Sequence, residues 1–172
     1  MTNKIEKIDH YLLYRIFKLN GRKSIDAIVR LISHSGDGHL YLLAGLTPLL
    51  TRNANSVKAL FAGMIAFAVG LPVQKILKNR IRRMRPFEKL NDISYLIAPP
   101  DRYSFPSGHT SQAFLVAHIL NEIIPGATLP LFTWAGCVGF SRVYLGVHYP
   151  TDVAAGMVLG LLSAVIGVYF IF

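Results

Sequence analysis

After Asp152 the chain runs twenty residues to Phe172 without an Asp, Glu, Lys or Arg, and most of them are Val, Leu, Ile, Gly or Ala. As a helix rising about 1.5 Å per residue this stretch is roughly 30 Å long, the thickness of a bilayer's hydrocarbon core. Two more uncharged intervals, residues 103–121 and 123–141, are separated only by Glu122, with a Pro125-Gly126 turn close behind it. They read as an antiparallel helix pair. Residues 59–74 form a further span, extensible through the snorkelling stem of Lys75, and residues 38–51 a shorter one. Only 16% of the 172 residues are charged, against roughly a quarter in an average globular domain, which excludes an ordinary soluble globule. Ten Phe and eight Tyr exclude disorder.

The N-terminal 37 residues differ. Two short amphipathic patterns (Tyr11, Leu12, Ile16, Phe17 and Ile25, Ile28, Val29, Ile32) flank Asn20-Gly21-Arg22-Lys23. They predict two helices, one or both lying along the interface among Lys4, Lys7, Arg15, Lys18 and Arg30. No segment has the layout of a cleavable signal peptide, so insertion is expected to use these helices themselves. The organisation expected is one membrane-embedded domain over residues 1–172, all-α, with five to six helices crossing or entering the bilayer and a basic loop over residues 75–107. Cys137, the single cysteine, lies in an apolar run and is expected to be buried. The net charge of +9 calls for an anionic partner. Nucleic acid fits poorly, because the cations follow membrane helices and no reading helix or aromatic platform accompanies them.

Three clusters carry chemistry. Lys78 and Arg85 are seven residues apart, two helical turns, and are expected to share a face where a helix leaves the membrane and Pro86 ends it. An ammonium and a guanidinium on one face suit phosphate oxygens, although a basic juxtamembrane segment attracted to anionic lipid would look the same. In Tyr103-Ser104-Phe105-Pro106-Ser107-Gly108-His109, Ser107 is the natural N-cap of the next span. Gly108 and His109 then fall in its first turn, where free N–H groups bind anions and an imidazole can donate a proton. In the run from Ser141 to Asp152, Pro150 suits a helix start and Asp152 lies four residues from His148. A carboxylate on one imidazole nitrogen leaves the other bare and nucleophilic. Arg142 and Asp152 are functional candidates because charge at membrane depth is expensive, or else an ion pair tying two helices together. The second and third clusters are separated by two spans, so all three can meet at one end of the bundle.

K-x6-R-P at residues 78–86, P-S-G-H at 106–109 and S-R-x5-H-x3-D at 141–152 resemble the complete three-part signature of the type-2 phosphatidic acid phosphatase family, in order and without a departure. The resemblance implies a metal-independent phosphatase, without cofactor, that works through a phosphohistidine. In it His148 attacks phosphorus, Asp152 orients it, and His109 protonates the leaving oxygen. Lys78, Arg85, Arg142 and the N–H groups of Ser107 and Gly108 hold the phosphate. It implies a phosphorylated membrane lipid as substrate, such as phosphatidylglycerol phosphate, undecaprenyl diphosphate or lipid A 1-phosphate. It also implies a bacterial inner membrane with the site on the periplasmic face. An outward site with a cytoplasmic N-terminus demands that one N-terminal segment cross the bilayer. Two other readings share features: a vanadate-binding haloperoxidase, which is soluble and larger, and a non-catalytic scaffold for anionic lipids, which leaves His109, His148 and Asp152 unexplained. His118 is about half a turn out of phase with His109. His10, His34, His39 and Trp134 are expected to pack rather than act, and the turn-rich run Ser33-His34-Ser35-Gly36-Asp37-Gly38-His39 can border the site.

Overall fold

A computed structural model describes residues 2–41, 45 and 53–172. Its described elements are α1 (Thr2–Phe17), α2 (Lys23–His34), α3 (Ala54–Ile81), the short α4 (Pro86–Lys89), α5 (Gly108–Asn121), α6 (Thr128–Tyr144) and α7 (Pro150–Ile171). The fold is all-helical, as the uncharged intervals require. The span expected over residues 38–51 lies mostly outside the described residues.

α3 and α7 are long and apolar enough to cross a membrane, yet only 22% and 28% of their apolar windows are buried. A core helix of a soluble protein would be mostly covered. These two instead turn Phe61, Met64, Leu71 and Ile76, and Val158, Leu162, Val165 and Phe170, outward, as a lipid-facing surface does.

Small residues set the packing between helices. An ideal Cβ on Gly156 would stand 2.5 Å from the Ser107 carbonyl oxygen, and one on Gly160 only 2.1 Å from that of Ser111. This G-x-x-x-G pair lets α7 lie directly on the backbone of α5's first turns, the close approach that small residues allow between membrane helices. Gly167 does the same further along, against the carbonyl of Ala62 in α3. The start of α5, where Ser107, Gly108 and His109 sit, is thereby pressed against the start of α7, where Asp152 sits.

Cys137 is exposed, not buried. It lies between the buried Ala135 and Val138, but Gly136 and Cys137 fall on the outer side of α6.

The amphipathic N-terminus forms the two helices expected, and both fold onto the end of the bundle that carries the three clusters. Leu13, fully buried, packs with Ile93, Val143 and Tyr149. Asp26 of α2 accepts a 2.7 Å hydrogen bond from the Tyr144 hydroxyl at the end of α6.

Candidate active site

The expectation that Lys78 and Arg85 share one helical face is corrected. α3 stops at Ile81, because Arg82 adopts a left-handed conformation (φ 50°, ψ 38°) that caps it, and Pro86 opens α4 rather than ending α3. The polar loop therefore starts at residue 82. The two side chains still converge, through the loop: Lys78 Nζ and Arg85 Nη2 donate to the same Oδ1 of Asp101, at 3.0 and 2.6 Å. Arg85 is further fixed by the carbonyls of Val147 (2.7 Å), Asp101 (3.1 Å) and Tyr103 (3.2 Å).

Lys78, Arg85, Gly108, His109 and His148 line one cavity of about 420 Å³, together with Gly36, Asp37, Gly38, His39 and Asp101. His148 presents Nε2 toward it, 3.4 Å from Arg85 Nη1. Its Nδ1 points back at Asp152 Oδ2, 3.6 Å away, an electrostatic contact rather than a full hydrogen bond. Burial pushes the His148 imidazole down to about 3, the Arg85 and Arg142 charges adding to the effect and Asp152 opposing it. At neutral pH the ring is uncharged and its lone pair is available.

Three expected site residues lie behind this wall. Asp152 is fully buried; its Oδ2 accepts the Tyr149 N–H at 2.8 Å and its Oδ1 a 2.6 Å bond from Arg83. The helix-tying partner of Asp152 is thus Arg83, not Arg142, whose Nη1 donates to Ser33 Oγ. The Arg142 carbonyl accepts the N–H groups of Val147 and His148, both at 3.2 Å, and so sets the backbone under the imidazole. Ser107 stands at the N-cap of α5, but its hydroxyl accepts from Thr110 Oγ1 (2.9 Å) and its N–H donates to the Asp152 carbonyl at 3.0 Å. That amide is engaged between the helices. The N–H groups of Gly108 and His109, which follow it, have no acceptor within the helix.

Two features were missed in the sequence. Arg83 joins Asp152 to Asp9: its Nη2 donates to Asp9 Oδ2 at 2.6 Å, while Asp9 Oδ1 accepts the Thr151 N–H at 2.9 Å. Its guanidinium lies over the Tyr149 ring, 4.0 Å from the centroid. Asp9 stands among Glu6, Lys7 and His10 in the amphipathic α1, so nothing in its local sequence set it apart. The second is Asp37, whose Oδ1 lies 2.9 Å from His109 Nε2 and whose Oδ2 lies 2.9 Å from His34 Nδ1. The polar run over residues 33–39 does border the site, and His34 and His39 do more than pack. His118 lies away from the cavity, edge-on to Phe132, and His10 stacks on Tyr149.

A membrane-embedded helical bundle whose cations and histidines converge on one polar cavity belongs to the class of phosphoryl-handling membrane enzymes. A family model described as the PAP2 superfamily matches residues 57–172, and the chain belongs to that superfamily, an integral membrane protein among phosphoric ester hydrolases. It is 30% identical over 155 residues to undecaprenyl-diphosphatase of Sulfolobus acidocaldarius, covering 86% of this chain and 71% of that protein. It is 36% identical over 115 residues to the bacitracin transport permease protein BcrC of Bacillus licheniformis, covering 67% of this chain and 57% of that relative's length. The crystal structure of the transmembrane PAP2-type phosphatidylglycerolphosphate phosphatase of Bacillus subtilis matches with a TM-score of 0.79 at 25% identity, over 98% of this chain and 86% of that one.

Proposed function

We propose that the protein dephosphorylates a phosphorylated membrane lipid through a phosphohistidine, with the cavity described above as the active site. The observation that carries this reading is the placement of His148 and His109 on one cavity with Lys78 and Arg85, each imidazole backed by a carboxylate, Asp152 and Asp37 respectively.

The lipid phosphate is held by Lys78, Arg85 and the N–H groups of Gly108 and His109, with Arg142 adding charge from behind the wall. His148 Nε2 attacks phosphorus in line. A P–N bond forms as the P–O bond to the lipid breaks, and His109 gives its proton to the departing oxygen. Asp152 offsets the positive charge that grows on His148 as it is phosphorylated. Water then attacks phosphorus from the side the lipid has left. His109 takes its proton, the P–N bond breaks, and phosphate leaves with His148 neutral again. Ser107, given to phosphate by the resemblance, acts instead as the joint between α5 and α7. A tail retained by the bilayer fits a site walled by membrane helices. Two relatives are named for undecaprenyl diphosphate and phosphatidylglycerolphosphate, and both headgroups are candidates for this chain, as is lipid A 1-phosphate.

The test is phosphate release by detergent-purified protein, with EDTA present, from phosphatidylglycerol phosphate, phosphatidic acid, undecaprenyl diphosphate and lipid A, beside His148→Ala. Release by the wild type and an acid-labile phosphoprotein that His148→Ala lacks are expected. Wild-type turnover by His148→Ala would overturn the assignment of the nucleophile, and no release from any lipid would overturn the substrate class.

A further inference from the structure

The two cations assigned to phosphate already hold an anion belonging to the chain. Asp101 Oδ1 is shared by Lys78 Nζ and Arg85 Nη2 at 3.0 and 2.6 Å, and no other carboxylate among the described residues contacts either group. The remaining side-chain partners of Lys78 and Arg85 are the carbonyls of Tyr103, Asp101 and Val147 and the His148 Nε2 at 3.4 Å, neutral groups of the kind that position a cation without neutralising it. The Asp101 side chain is different in kind: it is charged, and 41% exposed on the open side of the cavity, while Lys78 and Arg85 are 9% and 1% exposed. Although burial alone would raise its pKa, Lys78 and Arg85 outweigh that and hold the Asp101 carboxyl below the usual carboxylate range.

We propose that Asp101 is a specificity-determining residue, a tethered carboxylate that competes with lipid phosphate for Lys78 and Arg85 and gives way to a phosphate carrying two negative charges. The inference rests on the proposed assignment of those cations to phosphate. Two anions cannot share the same N–H donors at hydrogen-bond distance, so a headgroup that takes them must displace the carboxylate. Because Asp101 is attached, it competes at a fixed high effective concentration. A phosphomonoester near neutrality carries between one and a half and two charges and three acceptor oxygens, roughly twice what a carboxylate offers. A phosphodiester headgroup carries one charge, no more than Asp101 itself. In a bilayer whose commonest anions are monoanionic phosphodiester lipids, an uncovered pair of cations would be loaded with them. Asp101 removes that occupancy and also weakens retention of the product phosphate.

The experiment compares wild type, Asp101→Asn, Asp101→Ala and the charge-retaining Asp101→Glu, all purified in detergent and checked for equal thermal midpoints. Binding of inorganic phosphate is titrated by 31P NMR. Asp101→Asn and Asp101→Ala are expected to bind it about tenfold more tightly, with Asp101→Glu close to wild type. In turnover, phosphatidylglycerol added to the micelles is expected to inhibit Asp101→Asn severalfold more than wild type. Phosphate binding that is unchanged or weaker in Asp101→Asn and Asp101→Ala would overturn the proposal, showing that the carboxylate only positions Lys78 and Arg85. Tighter phosphate binding without new phosphatidylglycerol inhibition would overturn the screening of diesters. Absence of phosphate binding in every variant would overturn the site assignment and this inference together. Normal phosphate binding without turnover of any lipid would sink only the phosphatase reading.

Discussion

At the scale of single residues, the site's signature histidines depend on partners that its motifs do not contain. Arg83 is bonded to Asp9, Thr151 and Asp152, and Asp9 and Asp152 are both fully buried. Removing the guanidinium leaves two buried carboxylates facing each other, which destabilises by about 3–5 kcal/mol when a buried pair is broken. Arg83 does not line the cavity, so it acts on turnover through the placement of Asp152. Arg83→Gln is expected to lower kcat by about 10²-fold with KM little changed, and Arg83→Lys to recover part of it. A rise in KM with kcat intact would instead place Arg83 on the substrate. His148 supplies a pH test. Its unfolded imidazole, near 6.5, binds a proton that the folded one refuses down to about 3. The unfolded state therefore holds more protons between those values, and stability is lost as pH falls through that window, by up to about 1.4 kcal/mol per unit. Thermal midpoints measured from pH 7 to pH 5 should fall less steeply for His148→Gln than for wild type, and parallel slopes would refute a neutral, buried imidazole.

At the scale of elements, the helices and the three motifs were legible because hydrophobic length and local spacing are written along the chain. Gly108 and His109 at a first turn, and Pro150 opening α7 with Asp152 two residues further on in its first turn, follow from helix-end chemistry alone. What failed was anything that depended on a left-handed cap or on pairing across distance. Nothing in Lys78-Asn79-Arg80-Ile81-Arg82 announces that α3 ends at Ile81. Asp9 meets Arg83, 74 residues away, and Asp37 meets His109, 72 residues away, separations at which no sequence period operates. The glycine stripe of α7 is the element-scale feature with the sharpest consequence. Gly160→Ala places a methyl 2.1 Å from the Ser111 carbonyl oxygen, so α5 and α7 must part. An overpacking cost of about 1–3 kcal/mol follows, and with it a lower midpoint and reduced kcat. Gly136→Ala, where a Cβ meets nothing within 4 Å, should leave both unchanged; equal loss in the two variants would show that α6 and α7 tolerate bulk alike and that the close approach is not used.

At the scale of the whole molecule, the N-terminal helices decide how the site is oriented. An outward site with a cytoplasmic N-terminus required one N-terminal segment to cross the bilayer. Instead α1 reaches the site end through Asp9 on Thr151 and Arg83 and through Glu6 on Lys89. α2 joins it there through Asp26 on Tyr144, and Asp37 follows on His109. Residues 2–37 thus pack against the half of the bundle that holds the cavity, with α2 running along α6 from Tyr144 to Trp134. By position in the chain, every Lys and Arg except Arg52 and Lys58 belongs to segments gathered at that end or to the helix turns entering it. Anionic headgroups are drawn to such an excess. We therefore expect the N-terminus and the site on one face, the periplasmic one by the family resemblance, because the loop cations that line the cavity serve binding and do not report topology as ordinary loop charges do. With Cys137 replaced, single cysteines at Lys4 and at Asn91, both exposed, are expected to react together with an impermeant maleimide on intact cells. Labelling of neither on intact cells would turn the whole end inward, and labelling of only one would break the fold-back of α1 and α2 onto the site.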